Sequence, residues 1–252
     1  MSPSAPTAVL LLQAHLRYQF TTLMRTPEFW VPTIVLPGLL QFAFGSFTAG
    51  SPERALEQVV SFCLYGAGSV AFFQFAVGLA QDRESAWEMT LQRLPGASGP
   101  RTVAHLCAAL AFSVASASWV LAVASVAQRV PLTVTDAATI LFVSLAAAVP
   151  YGLAGVLLGH LASARAVVPV ANVLFLAQAY LSGLLIPPAG LPEGVQAISA
   201  LVPTRHIAEA AWALVAGRAV GGRELAVIAA TLVVLSGATA LLMRREQSRR
   251  VG

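Results

Sequence analysis

The sequence contains no lysine: the 15 basic residues among its 252 are all arginine. That absence removes two kinds of chemistry. A phosphate-binding loop of the G-x-x-x-x-G-K-[ST] kind needs its lysine on the nucleotide, and a pyridoxal cofactor needs one for its Schiff base. Charge of either sign is also scarce. Charged residues are 10% of the chain and apolar ones 57%, where a soluble domain carries about 25% charged residues. The composition predicts a membrane protein, and if it spends ATP, another chain binds it.

Cysteine and histidine are equally thin. Cys63 and Cys107 both fall in apolar stretches, where a small buried thiol is expected rather than a disulfide or a metal site. His15, His105, His160 and His206 form no close pair with glutamate of the kind a membrane metalloprotease uses. Acid is missing where an ion-driven carrier would need it: Glu28, Glu53, Glu57, Asp82, Glu84, Glu88, Asp136, Glu193, Glu209, Glu224 and Glu246 all fall at span ends or in loops. Gln41, Gln74, Asn172 and Gln178 are the strongest polar side chains within spans, and hydrogen bonding between helices is their expected role. Gly96-Ala97-Ser98-Gly99 is similar to the nucleophile motif of rhomboid proteases, but between Pro95 and Pro100 it reads as a turn. An intramembrane hydrolase using Ser98 and His206 is the alternative from a different class. Residues 1–7 carry no basic segment and the apolar run 8–12 is short, so no cleaved signal peptide is expected.

What the chain does have is apolar length. A crossing takes about 20 residues, and six stretches qualify: about 28–47, 56–80, 103–127, 137–161, 166–186 and 225–243. Ahead of them, Leu12, Leu16, Phe20 and Leu23 recur at helical spacing while Gln13, Arg17 and Thr21 fall on another face. Residues 8–26 are therefore predicted as an amphipathic helix lying in the membrane surface. Pro32 and Pro37 predict irregularities in the first span. Region 187–223, broken by Pro187, Pro188, Pro192 and Pro203, predicts short helices near the interface rather than a crossing. The expected fold class is an all-α integral membrane protein with six transmembrane helices, forming one domain over 1–252.

Arginine placement orients it. With six spans, one side collects Arg17, Arg25, Arg83, Arg93, Arg101, Arg165, Arg244, Arg245, Arg249 and Arg250, and the other Arg54, Arg129, Arg205, Arg218 and Arg223. Cytoplasmic loops are enriched in positive charge, so both termini and the charged stretch 82–101 are expected inside and the Pro-rich region outside.

Two regions carry a more specific signal. One is the charged stretch through Arg83, Glu84, Trp87, Glu88 and Arg93 to Pro95. The other runs from Ser182-Gly183 through Pro187, Pro192, Gln196 and Pro203 to Glu209. Together they resemble the membrane (permease) subunits of type-2 ATP-binding-cassette (ABC) exporters, over nearly the whole chain. Ala86 stands where that family usually has glycine, and His206 where it often has an aromatic residue.

The resemblance implies a drug-export-like permease with no ATPase site and no cofactor of its own, ATP and magnesium being held by the partner. It implies two ATPase subunits, a second permease copy or related permease, and the cytoplasmic membrane as location; no nucleic-acid partner is expected. Arg83, Glu84, Trp87, Glu88 and Arg93 would form a helix coupling to the ATPase, with Trp87 as an apolar anchor. Ser182, Gly183, Pro187, Pro192 and Pro203 would belong to re-entrant helices forming an external gate. Phe42, Phe44, Phe47, Phe62, Phe72, Phe73 and Phe75 cluster in the first two spans, an apolar lining suited to a hydrophobic or amphipathic solute. Phe42, Phe72 and Phe75, with Asn172 and Gln178 on the fifth span, are the candidate path residues. A drug-like compound is the expected cargo, with lipid or lipid-linked glycan as the alternative.

Overall fold

The computed structural model describes residues 8–45, 51–85 and 98–251. In chain order the helices are α1 (Ala8–Met24), α2 (Pro27–Gly45), α3 (Pro52–Glu84), α4 (Ser98–Ala122, closing in a π turn over Val123–Ala127), α5 (Val134–Leu161), α6 (Val167–Leu181), α7 (Glu193–Ser199), α8 (Pro203–Val215) and α9 (Gly222–Val251). No strand occurs among the described residues. Five of these, α2, α3, α4, α5 and α9, are long and apolar enough to cross a bilayer. Large apolar side chains such as Leu110, Phe142, Val233 and Leu241 stand exposed along them. Such a surface is stable against lipid and not against water. The chain is an all-α integral membrane protein.

The fifth apolar stretch yields a shorter helix than its length suggested. α6 has 15 residues, about 22 Å at 1.5 Å each. It ends because Gly183 takes a φ of +82°, and a Cβ there would lie 2.8 Å from the Pro188 ring. The chain then folds back through a 3-10 turn at Pro188–Gly190 into α7 and α8.

The prolines of α2 act as expected, with a compensation supplied from elsewhere. A π turn covers Val31–Val35. Pro37 has no N–H to give to the carbonyl of Thr33 four residues back, and the Ser116 hydroxyl of α4 donates to that oxygen at 2.7 Å. Trp119 Nε1 likewise donates to the Val35 carbonyl at 3.3 Å. Two irregular carbonyls thus become the seam between α2 and α4.

α3 is the centre of the molecule. Every residue from Val59 to Phe72 is buried. Small residues make this possible: Ser61, Gly66, Ala67, Gly68, Ser69 and Ala71 let neighbouring helices approach closely. α5 brings its own small stripe, where a Cβ on Gly155 would collide with the Phe72 carbonyl and one on Gly159 would come within 2.9 Å of the Ala76 carbonyl. α4 runs antiparallel to α3, as Cys63 Sγ meets the Ala117 carbonyl at 3.6 Å and Gln74 Nε2 the His105 carbonyl at 3.0 Å. α1 lies against α4, its Phe20 stacked on Phe112 at 5.7 Å. The helix predicted to rest on the membrane surface therefore has protein under its apolar face.

Candidate functional site: a cavity under the first helix and a brace at the arginine-rich end

Polar residues spaced along α1 line a space between the helices. His15, Gln19 and Thr22 of α1 look across a cavity of about 540 Å³ toward Gln74, Gln81 and Asp82 of α3. Phe29 and Pro32 of α2, Phe73 and Val77 of α3 and Val168 of α6 supply apolar wall. Glu28 and Asp82 are the acidic members, and no arginine occurs among the described lining residues. Gln74 is buried, its amide nitrogen committed to the His105 carbonyl, and its Oε1 has no hydrogen-bond partner among the described residues. The volume falls within the range typical of small-molecule sites.

Next to the cavity, α3 ends in a brace. Helix ends leave carbonyls unserved at the C-terminus and amides at the N-terminus. Arg83 guanidinium donates to the carbonyl of Gly159 at 3.0 Å and also to that of His160, at the end of α5. Glu84 Oε1 accepts from the amide of Ala164 at 2.8 Å, in the turn leading into α6. A cation at one helix terminus and an anion near the start of the next match the helix dipoles. Arg83 and Glu84 thus tie the last turn of α3 to the α5–α6 connection. Their sequence signal was charge next to a span end; its partners lie 76 to 80 residues away and left no local pattern. Trp87, Glu88 and Arg93 lie outside the described residues.

The candidate path residues fall in different places. Asn172 lines the cavity. Phe72 is buried in the core, stacked on Phe175 at 5.7 Å. Phe75 packs over Gly152, and Phe42 is exposed on α2. Gln178 Oε1 accepts from the Tyr151 hydroxyl at 3.0 Å, joining α5 to α6. The other lining residues, those of α1 and Phe73, Gln74 and Gln81 of α3 among them, were not among the candidate path residues. The polar face of α1 was legible, but that it overhangs α3 depends on tertiary packing.

At the other end of α3 the Pro-rich segment is held by hydrogen bonds. Ser182 Oγ donates to the Gln178 carbonyl at 2.5 Å and Gln196 Nε2 to the Leu191 carbonyl at 2.8 Å. Pro187 leads into the 3-10 turn, Pro192 precedes α7, and Pro203 opens α8 at a position that needs no N–H. Trp212 Nε1 donates to Ser61 Oγ at 3.0 Å, fastening α8 to the start of α3.

His206 sits on α8, and the side chain of Ser98 lies outside the described residues.

Comparison with known proteins agrees with this architecture. No match was found among curated proteins or among solved structures. The family model described as ABC-2 type transporter matches residues 11–215, from α1 through α8. The chain belongs to the ABC-2 type transporter family, as a membrane permease component.

Proposed function

We propose that this permease works as half of the membrane core of an ATP-driven exporter in the cytoplasmic membrane, paired with a second copy or a related permease. Two separate ATPase subunits would drive it. The distribution of arginine supports both termini lying inside, with the fifth apolar stretch completing six crossings. ATPase closure would be delivered through the segment after α3, and the Arg83–Glu84 brace is suited to pass that movement to α5 and α6 together. The Pro-rich segment would serve as the external lid.

The observation that carries the choice of solute is the cavity. Its apolar walls suit a hydrophobic or amphipathic, drug-like compound better than the phosphate-bearing head of a lipid-linked glycan. Filling the cavity tests this. Asn172→Trp, in membrane vesicles holding the permease with its co-purified ATPase, is expected to lower export of a fluorescent lipophilic cation about tenfold or more and to leave protein amount unchanged. Unaltered export by this variant would remove the cavity from the transport route.

A further inference from the structure

His206 is 4% exposed, and its two ring nitrogens meet different surroundings. Nε2 faces the Ala200 carbonyl at 3.2 Å. A carbonyl only accepts, so this nitrogen carries the hydrogen, and in the neutral ring Nδ1 is a lone pair. Nδ1 has no hydrogen-bond partner among the described residues. It nevertheless faces Glu209 Oε2 at 3.7 Å and Glu224 Oε1 at 3.8 Å. Three electron-rich atoms aimed into one space repel each other unless something positive lies between them.

We propose that His206 Nδ1, Glu209 and Glu224 bind a divalent transition-metal ion of the zinc class, joining α8 to the first turn of α9. Spacing distinguishes an ion from a proton. A protonated ring would hold a carboxylate at about 2.7–2.9 Å, shorter than either separation here. Ligands bound to tetrahedral zinc at about 2.0–2.1 Å lie roughly 3.4 Å from one another, and these three atoms all lie within 4.8 Å of one another.

The surroundings are those a metal site uses. Ligating histidines almost always donate their other N–H to an acceptor, as Nε2 does to Ala200, and ligating carboxylates are themselves hydrogen-bonded. Arg205 Nε holds Glu209 Oε1 at 2.7 Å, which leaves Oε2 for the ion. Arg205 is in turn held by Ser199 Oγ at 3.1 Å. Glu209 and Glu224 retain 31% and 21% side-chain exposure, which gives an ion a way in and leaves room for a water as fourth ligand. One imidazole with two carboxylates suits zinc better than the all-oxygen cages that calcium and magnesium prefer. The proposal does not rest on the transport reading.

The test uses the full chain purified in detergent and stripped with EDTA. Titration calorimetry is expected to find one zinc ion per chain with micromolar or tighter affinity, and cobalt to give the visible absorption of a low-coordinate site. Glu224→Gln and His206→Gln should each weaken zinc about tenfold or more and abolish the cobalt bands, while exposed Glu193→Gln changes neither. Absence of zinc binding up to millimolar concentration would overturn the site, as would zinc and cobalt signals unchanged in Glu224→Gln. Should His206→Gln fail to fold, the partly exposed Glu224 variant carries the same test.

Discussion

A missing proton at Pro37 shows how single residues hold this membrane protein together. The Thr33 carbonyl that proline cannot serve would face apolar surroundings, and Ser116 closes the gap from 83 residues away. Ser116→Ala should lower the melting temperature in detergent by an amount corresponding to about 1–3 kcal/mol, while exposed Ser118→Ala leaves it unchanged. Equal melting for the two variants would show the carbonyl satisfied by other means. The amide pair Gln41–Gln128 offers a second measurement. Gln41 Nε2 donates to Gln128 Oε1 at 2.6 Å and Gln128 Nε2 returns a bond to the Gln41 carbonyl at 2.7 Å. A double-mutant cycle with leucine at each position should give a coupling of roughly 0.6–1.7 kcal/mol, the range of interhelical hydrogen bonds in membranes.

Both cases mark what the sequence could say about side chains. That Pro37 would disturb its helix, and that Gln41 would bond to another helix, followed from residue type alone. The identity of Ser116 and Gln128 as partners did not, because nothing local distinguishes Ser116 from Ser118. Only the burial of one and the exposure of the other separates them.

Helices pair here by shape more than by polarity. The contact of α3 with α5 depends on Gly155, whose missing side chain leaves room for the Phe72 backbone, whereas Gly78 has open space before it. Gly155→Val is therefore expected to lower the melting temperature sharply or prevent recovery of folded protein, and Gly78→Ala to be tolerated. A melting curve for Gly155→Val equal to wild type would mean that α3 and α5 do not meet through this stripe. The long apolar helices were readable in advance because their composition leaves no other use for them. α6 was placed but overextended: residues 182–186 are as apolar as the rest, and what stops the helix is the backbone of Gly183 pressed on Pro188. The charged stretch was recognised for its end at Arg83 and Glu84, yet the bonds these make to the α5–α6 turn belong to geometry that charge patterning does not encode.

For the whole molecule, the distribution of arginine makes a prediction about sidedness. With Cys63 and Cys107 replaced by serine, Glu193→Cys should react with a membrane-impermeant maleimide added to intact cells, and Arg165→Cys only after the cells are opened. The opposite pattern would invert the proposed orientation and place the cavity on the outer side. The order of long apolar helices and the Pro-broken segment along the chain was legible because each has its own composition. The cavity was not, since it is enclosed by α1, α2, α3, α4 and α6 together and no one of them announces it.

The shortness of α6 also bears on the bilayer itself. Its 15 residues reach about 22 Å, while the hydrocarbon layer is about 30 Å deep. Along its flank Val170, Val173, Leu174 and Leu176 stand exposed. As the crossing proposed above, α6 would require the lipid beside it to thin, at a modest cost for each ångström of mismatch. The permeability barrier would then be thinnest beside α6, on the side where Asn172 lines the cavity. Acyl-chain length becomes a control on transport: vesicles of longer-chain lipid should slow it without any change in the protein.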